Sequence, residues 1–246
     1  MSQFPSISTK APDSLKKDEV KDLTDDLRKK LRKLQPLLFA ESKHSVLIVL
    51  QGMDASGKDG TVKGVFNGVN PMGCLVKAFK APTEIEKAHD FLWRIHANAP
   101  AKGMIQIFNR SHYEDVLVPR VKNWIDIDEV KRRFNHINAW EQLLKDSGTQ
   151  ILKFYLHISE EEQSRRFDQR LEDPEKRWKY KSSDLAEAKL WPEYRIAFAD
   201  IFENCSKAEP WQIIPADDKW YRDYLISTAV VERLESLNMK YPQDIV

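Results

Sequence analysis

Val46, Leu47, Ile48, Val49 and Leu50 form an unbroken apolar run, which is how a short strand covered on both faces reads. Ahead of it, Leu23, Leu27, Leu31 and Leu34 recur at helical spacing in a charged stretch, predicting a helix over about 15–35 with one apolar stripe. That stripe fits packing on its own domain or a contact between subunits. After the run, strand and helix patterns alternate. Strands are predicted at 75–79, 104–108, 151–158 and 211–214. Thr83 and Glu86 form a capping-box pattern that opens a helix through about 97. Ser159 and Glu162 form a second, whose helix stops before Pro174. Further helices are predicted from about 58, over 128–145 with a stop at Gly148, over 184–205 with Pro192 kinking or resetting it, and over 219–237. Repeated β-then-α units imply an α/β fold of three layers, α/β/α, around a five-stranded parallel sheet.

The chain has 246 residues, enough for one such domain. Residues 1–13, polar and rich in Ser and Pro, are expected to be a flexible arm, and 14–246 a single domain with a helical lid at about 160–190. With 31% charged residues and no apolar run near the roughly 20 needed to span a bilayer, no membrane partner is expected. Residues 1–12 lack a secretory-signal pattern, and Cys74 and Cys205 stand apart in unrelated contexts, so a cytoplasmic location is expected. A net charge of +1 excludes reliance on global charge; any polyanion site must be a local basic patch. That balance, without interleaved basic and aromatic residues, also argues against nucleic acid as a partner.

Gly52 to Lys58 reads G-x-x-x-x-G-K, directly after the buried strand and directly before a helix. Its glycines permit a tight turn, amides of Ala55, Ser56 and Gly57 converge on phosphate oxygens, and the helix N-terminus adds positive potential. Lys58 bridges phosphoryl oxygens. Asp59 stands where a Mg²⁺-binding Ser or Thr is common; Gly60 follows, and Thr61 lies further along. Asp54, inside the loop, would repel phosphates without a metal and so reads as a Mg²⁺ ligand, while Asp59 stands behind it or complements the helix dipole.

Gly52, Asp54, Gly57, Lys58, Asp59 and Gly60 together resemble the phosphate loop of the polyphosphate kinase 2 family. Phe-Asn-Arg-Ser-His-Tyr-Glu-Asp-Val at 108–116 resembles that family's second motif. Asp173, Pro174, Arg177, Trp178, Lys179, Asp184, Trp191, Tyr194, Pro210 and Trp211, ending in the 215–219 segment, resemble a third. The resemblance implies reversible, direct phosphoryl transfer between inorganic polyphosphate and nucleotides. The cofactor it implies is Mg²⁺, with Mn²⁺ as an alternative, and the assembly a homo-oligomer, dimer or tetramer. The wording of the second motif resembles the branch that takes AMP as well as ADP to give ADP and ATP. Where many members carry Asp, this chain has Asn109; the missing acid is expected from Asp115, sharing the metal with Asp54, and Glu114 is expected to orient the acceptor. Arg110 suits bidentate phosphate contact. His112 is expected to position substrate rather than act as a base. Arg166 and Arg170, four apart on one helix face, are expected to close over the phosphates as lid arginines. Lys63, Arg120, Lys122, Lys131, Arg132 and Arg133 are candidates for a polyphosphate groove or a merely solvated face. The rival readings are an ATP-dependent nucleotide or small-metabolite kinase and a nucleotide switch; the second lacks an Asn-Lys-x-Asp signature.

Overall fold

The computed structural model describes residues 3–179 and 187–243. The apolar run becomes β1 (Ser45–Gln51), in which every residue is buried. Three more strands follow the same logic with small shifts of boundary: β2 (Cys74–Ala78), β3 (Ile105–Asn109) and β4 (Thr149–His157). With β5 (Trp211–Pro215) they form one sheet ordered β2-β3-β1-β4-β5, and every pair is parallel. The chain leaves β1 for the β2 edge, returns through β3, and then crosses to β4. The connections therefore diverge on either side of β1, which opens a crevice at the carboxyl ends of the strands. Register does the rest. Leu50 pairs with Asn109, so the loop after β1 and the turn after β3 leave the sheet side by side.

Helices cover the sheet. α1 (Lys17–Glu41) is longer than expected and carries Pro36 inside. Leu31 and Leu38 are buried, and Leu27 and Leu34 pack on the core, but Leu23 is half exposed. α1 lies against the last helix, α9 (Lys219–Ser236), so the stripe serves its own domain. α2 (Lys58–Val65) follows the glycine loop. The helix expected through 97 is instead two single turns, α3 (Glu84–Lys87) and α4 (Trp93–His96). Its capping box forms, with Thr83 Oγ1 accepting from Glu86 N, but Asp90 then caps its own turn by accepting from Leu92 N and breaks the run.

α5 (Glu114–Val121), α6 (Ile127–Asp146) and α7 (Glu160–Glu172) follow. At α7 Ser159 accepts from Glu162 N, but the Glu162 carboxylate turns to Arg165 and Arg166, so the second box is only half made. A short 3-10 turn, Arg177–Lys179, comes next, and the rest of the expected lid through 186, with Asp184, lies outside the described residues. Pro192 sits in the first turn of α8 (Trp191–Asn204), where its missing N–H costs nothing, so it resets the helix.

The expected loose N-terminal arm is docked. Phe4 packs edge-on to Tyr155 at 5.7 Å and lies under the Arg195 guanidinium, while Thr9 Oγ1 donates to Asp217 Oδ2 at 2.7 Å. Its polar composition hid one aromatic anchor. Among the described residues no helix is long and apolar enough to cross a membrane.

Candidate active site

The loop from Gly52 to Lys58 wraps the N-terminus of α2. Gly57 has φ +100°, and a Cβ there would overlap the Arg222 guanidinium, so both backbone conformation and space require glycine. Ala55 also takes positive φ, 60°, without being glycine, a strained conformation held by its surroundings. Lys58 is buried and curls back over the loop. Its Nζ donates to Gly52 O at 2.8 Å, to Met53 O at 3.2 Å and to Ser56 Oγ at 3.4 Å. Desolvation, followed by the nearby Arg110 charge, pulls its pKa from 10.5 down to about 8. Thr61 is buried and returns its hydroxyl to Gly57 O, and Gly60 faces Arg222.

Arg166 is not a lid arginine in this structure. It is buried, and all five of its N–H groups are committed. Nη1 donates to Ala55 O and Ser56 O, both at 2.9 Å; Nη2 donates to Ala216 O at 2.6 Å and Asp217 O at 3.2 Å; Nε donates to Glu162 Oε1 at 2.6 Å. It pins two loop carbonyls, and because the peptide is planar and trans, the Gly57 N–H points away from it. Gln163, one turn earlier, donates to Asp54 O at 2.8 Å. The first half of α7 is thus fixed to the phosphate loop. Arg170, one turn further on, is half-buried with its guanidinium over the Phe167 ring.

The second motif alternates its directions. Arg110 has φ 61° and donates from Nη2 to Asp54 Oδ1 at 2.8 Å, with Nη1 4.0 Å from Glu114 Oε2. Glu114 also accepts from the Gln51 amide at 3.0 Å, when that amide is turned to accept from Ser111 as well. Burial raises the Glu114 pKa, with Arg110 and Lys58 opposing. Asp54, Arg110 and Glu114 thus meet in the lining of one cleft. Its other wall is aromatic: Trp191, Tyr194 and Phe198 of α8.

Asp115, expected to share a metal with Asp54, instead accepts from Arg94 Nη2 at 3.0 Å and lies outside that cleft. Adjacent residues on a helix point about 100° apart, so only one of the two acids can face the loop, and it is Glu114. Asn109 donates to Asp59 Oδ1 at 2.7 Å, joining the end of β3 to the first turn of α2. His112 does not reach the cleft: it is fully buried, and its Nε2 lies 3.2 Å from Glu141 Oε1. Desolvation lowers its pKa, so the ring is neutral. Of the groove candidates, Arg120 pairs with Asp200, Lys122 with Glu187, Lys131 with Asp128, and Arg132 and Arg133 with Glu129, so these form no bare basic track.

Sequence reasoning missed Arg222, buried beneath Gly57 and paired with Asp223 at 2.7 Å, and the Lys153–Glu141 pair at 2.6 Å. The second had a signal. Lys153 interrupts the apolar run Ile151–Leu156 of β4, and Glu141 shares a helix face with Ile137 and Leu144.

The Lys58 geometry yields a first prediction. Anion binding restores the charge, so binding tripolyphosphate near pH 9 should take up a proton, and near pH 7 none. Calorimetry in two buffers of different ionisation enthalpy, with Lys58→Met as blank, measures this. Equal uptake by enzyme and blank at pH 9 would mean that the ammonium is already charged in the empty loop.

A glycine loop and lysine at the carboxyl end of the middle strand, opposite an arginine and a carboxylate from the neighbouring strand, define a P-loop phosphotransferase. A family model described as polyphosphate kinase 2 matches residues 14–242, so the chain belongs to the polyphosphate kinase 2 family. It is 53% identical over 218 residues to an AMP/ADP-polyphosphate phosphotransferase of Meiothermus ruber, covering 88% of this chain and 82% of that one. It is 42% identical over 227 residues to an ADP-polyphosphate phosphotransferase of Rhodopseudomonas palustris, covering 87% and 78%. The crystal structure of polyphosphate kinase 2 from Arthrobacter aurescens TC1 superposes with a TM-score of 0.94 at 39% identity, covering 98% of this chain and 88% of that one.

Proposed function

We propose that this chain, a polyphosphate–nucleotide phosphotransferase by family, accepts both AMP and ADP and depends on a divalent cation. The observation that carries the reading is the meeting of two unlike surfaces. The phosphate loop with Lys58 adjoins a cleft with an aromatic wall and a few convergent polar groups, the make-up of a small-molecule site. Asp54 and Arg110 stand where the two join.

The donor and product bonds are both phosphoanhydrides, so transfer is near energy-neutral and reversible. The Lys58 ammonium and the loop amides hold the donor phosphates. Arg110 offers a planar fork to the phosphoryl group in flight, and Glu114 orients the acceptor. An acceptor phosphate oxygen forms the new P–O bond as the bridging P–O bond of polyphosphate breaks, and the shortened chain leaves with the electron pair. The attacking oxygen is already ionised, so no general base is needed and no protein group is phosphorylated. Arg170, past the anchored half of α7, takes the lid role.

The residues fit a cation. Among the described residues no three His, Cys, Asp or Glu side chains converge as a complete metal site. Mg²⁺ bound through one or two carboxylates and substrate phosphates needs none, and Asp54 with Glu114 opposite suits that mode. When bound, Mg²⁺ or Mn²⁺ neutralises phosphate charge. Assembly as a dimer or tetramer in the cytoplasm belongs to the same reading. Leu75 and Val76, exposed on the edge strand β2, offer an apolar contact, and sedimentation at assay concentration reads the state.

The test is an end-point assay with long-chain polyphosphate and AMP or ADP, each with Mg²⁺ or with EDTA. Product in both nucleotide tubes, dependent on polyphosphate and lost in EDTA, is expected. Transfer only from ATP would favour the metabolite-kinase reading, and an inert AMP tube would restrict the acceptor to ADP.

A further inference from the structure

Lys153 lies at the middle of the sheet, paired with Val49 of β1 on one side and Trp211 of β5 on the other, and is fully buried. An ammonium there must spend all three donors. It gives one to Glu141 Oε2 at 2.6 Å, one to Tyr113 Oη at 3.0 Å and one to Cys205 O at 2.7 Å. Glu141, equally buried, uses its other oxygen to accept from Tyr113 Oη at 2.6 Å, with His112 Nε2 at 3.2 Å. Among the described residues the network is closed except for His112 Nδ1, which has no hydrogen-bond partner there.

Its connections matter more than its strength. His112 and Tyr113 lie between Arg110 and Glu114, which form the polar wall of the cleft. Arg110 carries the positive φ of 61° that must be held from outside. Cys205 is the C-terminal cap of α8, the helix whose Trp191, Tyr194 and Phe198 form the aromatic wall. One buried ammonium is therefore bonded to the segments that carry both walls. Apolar residues commonly replace a buried ion pair at no loss of stability, so stability alone does not account for this one. A satisfied buried network instead fixes one geometry.

We propose that Lys153 and Glu141 are positioning residues that set the spacing between the two walls of the acceptor cleft. This rests on the reading that the cleft takes the nucleotide. The phosphate loop has its own anchors in Arg166 and Gln163 and meets the polar wall only through the Arg110–Asp54 pair, so the donor side should feel a change in the junction much less than the acceptor side.

The experiment compares Lys153→Met, Tyr113→Phe and, as a control, Val231→Ala, which opens a cavity under the buried face of α9 and is not in the lining of the cleft. For each, the KM for AMP and ADP, the KM for polyphosphate, kcat and melting temperature are measured beside the wild type. Lys153→Met is expected to raise acceptor KM and lower kcat about tenfold each, leaving polyphosphate KM within roughly twofold. Tyr113→Phe, which keeps the ion pair and removes one hydroxyl, is expected to move acceptor KM about threefold in the same direction. Val231→Ala should lower only the melting temperature. Acceptor KM within roughly twofold of wild type in both junction variants, or equal rises in both substrates' KM, overturns the proposal. If Lys153→Met does not fold, Tyr113→Phe decides by the same criterion. A wild type inactive with polyphosphate and both nucleotides counts against the function proposed above; an active wild type with unmoved variants counts only against the junction.

Discussion

Lys58→Ala is expected to lower the rate of phosphoryl transfer about 10³-fold while leaving the empty protein's stability near neutral pH almost unchanged. The rate loss follows from removing the one ammonium the loop directs at its own centre. The stability follows from two opposing effects. The folded state depresses the Lys58 pKa from 10.5 to about 8, so below about pH 8 it holds a desolvated charge that the unfolded chain keeps in water. That penalty is on the order of 3 kcal/mol, and it fades as pH rises from about 8 towards 10.5, because only the unfolded state then still binds the proton. Against it stand three hydrogen bonds to Gly52 O, Met53 O and Ser56 Oγ, each contributing about 1 kcal/mol. The two nearly cancel at pH 7, and the balance turns against the variant as pH rises. Calorimetric unfolding at pH 7 and pH 9.5 measures both signs. Wild-type turnover in the variant would remove the loop from the chemistry, and a large stability loss at pH 7 would make Lys58 a structural cation.

Legibility tracked the range over which each interaction acts. β1 and the loop after it were readable because a continuous apolar run, two glycines and a lysine are local signals, and the parallel sheet follows from repeated β-then-α units. The order β2-β3-β1-β4-β5 then brings Gln51 and Asn109 to one edge of the crevice, which makes two motifs more than 50 residues apart into one site. What failed was assignment among neighbours and among like charges. Glu114 and Asp115 are adjacent acids, and which faces the loop depends on the phase of a helix whose start no capping side chain marks. Arg166 and Arg170 share a helix face, yet one reaches carbonyls some 110 residues back while the other lies over Phe167. The arm at 3–11 reads as polar, but its docking depends on Phe4 and on Asp217 far along the chain.

Arg166→Ala is the sharpest test of that reassignment. An arginine that only closes over phosphates can be removed at no cost to the empty fold. Arg166 cannot, because its removal strands the Ala55, Ser56, Ala216 and Asp217 carbonyls and halves the pairing of Glu162. Breaking a buried, hydrogen-bonded ion pair costs about 3–5 kcal/mol, which for a chain of this size lowers the melting temperature by roughly 6–20 °C. Activity should fall with it, because the loop carbonyls are free to rotate and the Gly57 N–H loses its fixed direction. Arg170→Ala should do the opposite, cutting kcat with a much smaller change in melting temperature, since Arg170 is only half-buried, with its guanidinium over the Phe167 ring. Thermal unfolding and steady-state kinetics on the two variants separate the roles. If Arg166→Ala melts like the wild type and loses only kcat, the guanidinium leaves the loop carbonyls for substrate during turnover, and the lid begins a full turn earlier than the hydrogen bonds place it.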